Sequence, residues 1–200
     1  MKVLIYLYCE IYLYKKSKYQ KLKDILNEVF DTNMLESQSK FEIYCDLDGV
    51  LVDFDKGIKQ LTGGINFQDY IKTKGYDELW KIVNNNGSIW WETLPWTQDG
   101  HYLWNFIKVK KPTILTAGST ENTKELAVKG KKQWVFRNLG SNVKTIVTDK
   151  SSDKQIYSGQ NKILIDDLPS NISEWESKGG IGILHTSAAD TIEKLKQLGI

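Results

Sequence analysis

Residues 41–54 read Phe41-Glu42-Ile43-Tyr44-Cys45-Asp46-Leu47-Asp48-Gly49-Val50-Leu51-Val52-Asp53-Phe54. The stretch opens on a short β-prone run that is largely continuous rather than alternating, and the run stops abruptly at two acids, a leucine between them and a glycine after. Four later runs repeat the pattern, at 113–115, 143–147, 163–165 and 181–184. Three of them also end in polar residues: Thr116-Ala117-Gly118, Thr148-Asp149-Lys150 and Asp166-Asp167. Short continuous apolar strands are buried on both faces, as in a parallel sheet. Helix-like segments at 121–138, 171–178 and 190–198 alternate with the later runs. Strand alternating with helix predicts an α/β fold, a doubly wound parallel sheet flanked by helices.

The whole chain has 200 residues and 27 basic against 25 acidic side chains, a formal net charge of +2. A chain this long buries about 70% of the surface it exposes when unfolded, so it needs no disulfide or metal staple. Of the basic residues only Arg137 is an arginine, and a protein that clamps nucleic-acid phosphates or reads bases would use more. No nucleic-acid partner is therefore expected. Cys9 and Cys45 make neither a disulfide framework nor a zinc site, and His101 and His185 are too few for a histidine-rich metal centre. Any divalent metal would be held by oxygen, which points to magnesium.

Residues 1–40 stand apart as an extension. The apolar stretch 3–14 is interrupted by Glu10, is too short to span a bilayer, and is followed by lysines rather than a small-x-small cleavage site. A packed strand or an interfacial segment suits it better. Leu22, Ile25, Leu26, Val29 and Phe30 fall at helical spacing and predict a short amphipathic helix over 19–30. The core then occupies 41–200. Within it 57–110 is rich in Trp, Gly and Asn, has no clear strand, and holds Trp80, Trp90, Trp91, Trp96 and Trp104. It reads as a small helical cap inserted between the first and second strands.

Ligands of open α/β sheets bind at the carboxyl ends of the strands. An Asp-x-Asp-Gly alone is a common turn, an Asp-Asp before Leu-Pro a common helix cap, and a lone Thr or Lys is ordinarily a turn or a solvated residue. Here Asp46, Asp48, Thr116, Asp166 and Asp167 all stand at or just beyond a strand end, with Lys150 and Lys154 after the third strand. Paired acids without His or Cys form an oxygen-ligand magnesium site, and a lysine beside it balances phosphate charge. Response-regulator receiver domains use similar ingredients, but there the acid pair precedes the phosphoryl acceptor; here Asp166-Asp167 comes last.

These words resemble the haloacid dehalogenase (HAD) superfamily. Asp46-Leu47-Asp48-Gly49-Val50-Leu51-Val52-Asp53-Phe54 is similar to its first motif, Ile114-Leu115-Thr116 to its second, Lys154 to its third, and Ile165-Asp166-Asp167 to its fourth. Within the superfamily the chain is most similar to the bacterial and phage 5′(3′)-deoxyribonucleotidases, through Trp90-Trp91-Glu92, Lys132-Gln133-Trp134-Val135, Asp153-Lys154, Asn171-Ile172 and the run from Gly179 to His185. The likeness covers about 41–190; Thr-Ala-Gly in the second motif departs from the Thr-Ser-Pro of the animal enzymes. It implies a HAD-like core with its cap, a cytoplasmic Mg2+-dependent phosphatase of nucleoside monophosphates, and an aspartyl-phosphate on Asp46. A phosphatase of sugar phosphates, or a domain that only binds magnesium and phosphate, uses the same residues. The resemblance assigns catalysis to Asp46, Asp48, Thr116 and Lys154, with Lys150 the competing lysine. It assigns the metal to Asp46, the Asp48 main-chain carbonyl and Asp166, with Asp167 orienting metal waters or Lys154. Phosphate binding falls to Thr116, Ala117 and Lys154, with Ser119 and Thr120 secondary. Phe54, Trp90 and Trp91 are expected at the base, His101 and His185 as structural residues, and a homodimer is compatible with it.

Overall fold

The computed structural model describes residues 41–118 and 124–200, with Lys18, Gln20 and Lys21 besides. The expected apolar segment of the extension, Ser119 and Thr120 lie outside the described residues. Of the helix expected over 19–30 only Gln20 and Lys21 are described, and both are helical.

The unit Phe41–Ile200 is built on five parallel strands, β1 (Glu42–Cys45), β2 (Thr113–Ala117), β3 (Thr145–Thr148), β4 (Lys162–Asp166) and β5 (Ile181–Leu184). Their order is β3-β2-β1-β4-β5, so the chain works outward from β1 to β3 and then crosses back to lay β4 on the other side of β1. Five helices lie between β1 and β2: α1 (Phe54–Thr62), α2 (Phe67–Lys74), α3 (Tyr76–Asn85), α4 (Gly87–Glu92) and α5 (Gly100–Ile107). The remainder are α6 (Lys124–Asn138), α7 (Pro169–Ser177) and α8 (Ala188–Gln197), with a 3₁₀ segment at Ser151–Tyr157. Among the described residues no helix is long and apolar enough to cross a membrane.

The fold class is the one the strand pattern predicts, and the alternation of side chains along the strands explains its two layers. Ile43, Cys45, Ile114, Ile163, Ile165 and Ile183 point to one face and pack with Leu103, Ile107, Trp134 and Ile192 from α5, α6 and α8. Tyr44, Leu115 and Leu164 point to the other and pack on Ile172 and Trp175 of α7. The edge strand β3 departs from the expected continuous burial, because three of its four residues are only half-buried. It also begins later than the apolar run: Gly140, at φ +116°, turns the chain so that Val143 donates to the Gly140 carbonyl, and pairing starts at Thr145 opposite Ile114. The helix starts follow local chemistry. Asp53 accepts from the Lys56 amide, Asn66 from Asp69 and Ser187 from Asp190, each at a helix N-terminus, and Pro169 opens α7.

The expected cap over 57–110 is not one body. Gly100, Leu103, Trp104 and Ile107 bury one stripe of α5, which packs against α8 of the core. Asp99, just before α5, accepts from the Ala188 amide at 2.6 Å. Trp104 is accordingly a core residue. The helices α1 to α4 remain as the insert proper, and α4 rests on α6. The two histidines are in structural positions: His101 stacks on Trp96 at 3.8 Å, and buried His185 pairs with the Thr191 hydroxyl.

Trp175 is fully buried on the second face, 5.3 Å from the Tyr44 ring, and donates its indole N–H to the Lys162 carbonyl. Replacing it with alanine is expected to cost about 3–5 kcal/mol. Urea unfolding would measure this; a loss below about 1 kcal/mol would show that this face does not depend on the indole.

Candidate functional site

The register of the sheet assembles the site. Cys45 lies opposite both Ile114 and Ile165, and the Asp46 amide continues the ladder by donating to the Ile165 carbonyl at 2.8 Å. Asp46, Thr116 and Asp166 therefore leave three adjacent strands side by side, at the point where the chain's direction across the sheet reverses. After Asp46 the chain closes on itself: the Leu51 and Val52 amides both donate to the Leu47 carbonyl, and the Gly49 amide donates to Val52. Leu47, Val50, Leu51 and Val52 are buried beneath this loop. Gly49 is required twice over. It has φ +75°, and a Cβ there would collide with the Asp167 carboxylate.

Asp46, Asp166 and Asp167 bring carboxylate oxygens within 4.8 Å of one another. Lys154, 2% exposed, lies between two of them: its Nζ is 2.9 Å from Asp46 Oδ1 and 2.7 Å from Asp166 Oδ2. Asp166 Oδ1 accepts from the Leu168 amide and from Asn171 Nδ2. Asn171 is itself held by Ser151, whose hydroxyl donates to its Oδ1. Burial and then the neighbouring Asp46 charge push the Asp166 carboxyl up to about 6 despite Lys154. The same causes, with Asp166 added, push Asp167 up to about 7. Burial would lower the Lys154 ammonium, but Asp46 and Asp166 outweigh it and hold it above the ordinary lysine value. The cluster is thus short of positive charge. Among the described residues Asp46 Oδ1 is buried without an aligned hydrogen-bond donor, and the three acids offer hard oxygen ligands, so they fit Mg2+.

Lys150 and Lys154 separate cleanly. Lys150 is exposed and beside a smaller cavity, whereas Lys154 is the lysine in contact with Asp46. Asp48 stands apart from the three-carboxylate cluster. Its Oδ2 is 2.5 Å from Lys131 Nζ, and its buried Oδ1 has no hydrogen-bond partner among the described residues. Burial raises the Asp48 carboxyl, Lys131 opposes the rise, and the Asp46 charge adds to it. Lys131 was not among the sequence-based candidates, nor was Asn171 given a role. The signal for Lys131 is its phase: Ala127, Lys131, Trp134 and Val135 share the buried stripe of α6, an odd place for a lysine.

A cavity of about 640 Å³ opens over these groups, lined by Asp46, Asp48, Thr116, Ala117, Lys154 and Asp167 below and by Phe54, Phe67 and Gln68 from the insert. Phe54 also borders the second cavity, about 290 Å³, with Tyr76, Trp80, Trp91 and Lys131. Of the three aromatics expected at the base, Phe54 is half-buried and Trp91 only 2% exposed. Trp91 stacks on Phe54 at 5.8 Å and on Trp80 at 6.2 Å. Trp90 is buried edge-on to both Phe54 and Trp91 and lines neither cavity.

No family model matches the chain, and no curated protein matches it. Solved structures similar to it include HAD-superfamily hydrolases. One, from Ehrlichia chaffeensis, is 12% identical over 80% of this chain and 97% of its own, with a TM-score of 0.46. A HAD-family hydrolase from Deinococcus radiodurans, solved with phosphate and sodium, is 11% identical over the same shares, also at 0.46. A Streptococcus pneumoniae hydrolase is 14% identical over 80% of this chain and 100% of its own, at 0.44.

The raised carboxyls set a pH dependence. Folding without metal takes up protons at Asp166 and Asp167, so these groups lower stability as pH rises from about 4 through about 6 and 7. A cation must displace the same protons, so its apparent affinity falls as pH drops below about 7. Thermal-shift titration with Mg2+ is expected to need more metal at pH 5.5 than at pH 8, and Asp166→Asn is expected to abolish the shift. Equal affinity at both pH values would place the metal elsewhere.

Proposed function

We propose that this chain is a phosphomonoester hydrolase that works through an aspartyl-phosphate on Asp46, with a nucleoside monophosphate, deoxy or ribo, as its substrate. The observation that carries the reading is the Asp46–Lys154–Asp166 cluster at the floor of a cavity that Asp48 and Thr116 also line. The Asp46 carboxylate needs no base to activate it. One of its oxygens forms a bond to phosphorus as the ester P–O bond breaks. Asp48 delivers a proton to the leaving oxygen; it then accepts one from a water whose oxygen bonds to phosphorus as the Asp46 O–P bond breaks and inorganic phosphate is released. Lys154 holds Asp46 in place and offers positive charge to the phosphoryl oxygens, and the Thr116 hydroxyl donates to another. Asp46 and Asp166, with the Asp48 carbonyl and neighbouring Asp167, would hold Mg2+, which when bound offsets the repulsion between carboxylate and phosphate.

These groups address only the phosphoryl group, so the choice of ester falls to the insert. Phe54 and Phe67, 5.6 Å apart and edge to face, wall the cavity and favour a leaving alcohol that carries a flat base at a distance from the phosphoryl group. Phosphate release from nucleoside monophosphates and sugar phosphates, with Mg2+ present, tests this. Release from sugar phosphates alone would make the chain a sugar-phosphate phosphatase, and release from none would leave a binding domain.

Asp46→Asn keeps the shape of the side chain and removes its charge. Turnover is expected to vanish; activity within about tenfold of the unaltered protein, about 1.4 kcal/mol in barrier, would remove Asp46 from the nucleophile's role.

Phe54→Leu is expected to reduce nucleotide turnover about tenfold or more, since base stacking is worth about 1–3 kcal/mol. Hydrolysis of p-nitrophenyl phosphate should change far less. Equal losses on both esters, at unchanged melting temperature, would show that Phe54 does not read the base.

A further inference from the structure

Lys131 is a buried cation that no step described above uses. Its side chain is 3% exposed, and its Nζ has three oxygens in reach: Asp48 Oδ2 at 2.5 Å, the Ala117 carbonyl at 2.6 Å and Thr116 Oγ1 at 3.2 Å. An ammonium has three protons, so all are committed within the protein. Lys154 meets two carboxylates and keeps a donor for a phosphoryl oxygen; Lys131 keeps none. It is therefore unsuited to hold substrate directly, and whatever it does passes through the groups it touches.

Those groups are informative. Among the described residues Lys131 is the one polar partner of the Asp48 side chain, whose other oxygen has none. It also spans from Asp48, on the loop after β1, to Thr116 and Ala117 at the end of β2, and so ties the two sides of the cavity together. The ammonium sits 5.1 Å from the centroid of the Trp91 ring. That placement depends on a close approach of α4 to α6: a Cβ at Gly130 would collide with Trp91 Cβ and the Ser88 carbonyl. Lys131 is thus one neighbour of the Trp91 ring, beside Phe54, Trp80 and Trp90.

We propose that Lys131 is the positioning residue for Asp48, holding its carboxyl group in the orientation from which it protonates the leaving oxygen, and that Trp91 serves as the aromatic seat of Lys131 rather than as a stacking surface for substrate. The inference rests on the phosphatase reading given above. The step at issue is the one in which the ester P–O bond breaks, its electron pair remains on the departing oxygen, and that oxygen takes the Asp48 proton. An ester whose leaving group departs as a stable anion has little need of that proton. An alkyl ester depends on it.

The test compares p-nitrophenyl phosphate with benzyl phosphate, two esters of similar size. Lys131→Met and Lys131→Gln are assayed in the Mg2+-loaded protein beside Asp48→Asn. For Lys131→Met, kcat/KM, which reports the step that expels the leaving group, is expected to fall about 10²-fold on benzyl phosphate, a general-acid effect, and less than about tenfold on p-nitrophenyl phosphate. Lys131→Gln, which keeps one donor, should fall between. The ratio of the two rates comes from one sample, so partial unfolding cancels. Asp48→Asn should shift the ratio at least as far, and adding Lys131→Met to it should shift it no further. If Asp48→Asn shifts the ratio and neither Lys131 variant does, the positioning role is overturned and the phosphatase reading stands. If Asp48→Asn itself leaves the ratio unchanged, the reading beneath it fails and the inference with it.

Discussion

Three carboxylates and one ammonium crowd together at the end of β1, and most of the molecule's architecture can be traced to holding them there. Like charges at this spacing repel, and burial removes the water that would screen them. The raised Asp166 and Asp167 carboxyls express that cost. The site tolerates it because the sheet, neutral donors and Lys154 hold Asp46 and Asp166 in place. The β1–β4 ladder sets Asp46 beside Asp166, the Leu168 amide and Asn171 hold one oxygen of Asp166, and Lys154 holds the other. Gly49 lets the loop pass where Asp167 would exclude any side chain. A preorganised cluster with an excess of negative charge is suited to receiving a cation.

The insert is coupled to this centre through α6. Gly130 brings α4 against that helix, and one residue later Lys131 reaches from the aromatic cluster to Asp48. Aromatic packing in the insert and the orientation of a carboxyl in the loop after β1 thus depend on a single helix–helix approach. By contrast α5, which a reading of composition assigns to the lid, belongs to the core through its stripe of Leu103, Trp104 and Ile107. Tryptophan content marks a region as buried, but not against what.

What the sequence determined by itself is what short-range chemistry encodes. Continuous apolar runs announced buried parallel strands. Asp46-Leu47-Asp48-Gly49 and Asp166-Asp167 announced a charged strand edge. Each depends on residues a few positions apart, so periodicity and turn chemistry suffice. Tertiary structure alone decided which distant side chains meet. Lys154 and Lys150 differ by four positions, and only the turn of the 3₁₀ segment places one against Asp46 and the other in solvent. Lys131 is 83 residues from Asp48, and nothing local ties them; the contact exists because strand register and the Gly130 approach bring α6 to the loop after β1. The sequence shows Trp91 only as an exposed or buried aromatic; the fold sets Lys131, Phe54, Trp80 and Trp90 around it. A residue's chemistry is written in its identity, but its partner is set by long-range packing, and at this site the partners separate the roles of otherwise similar lysines and aromatics.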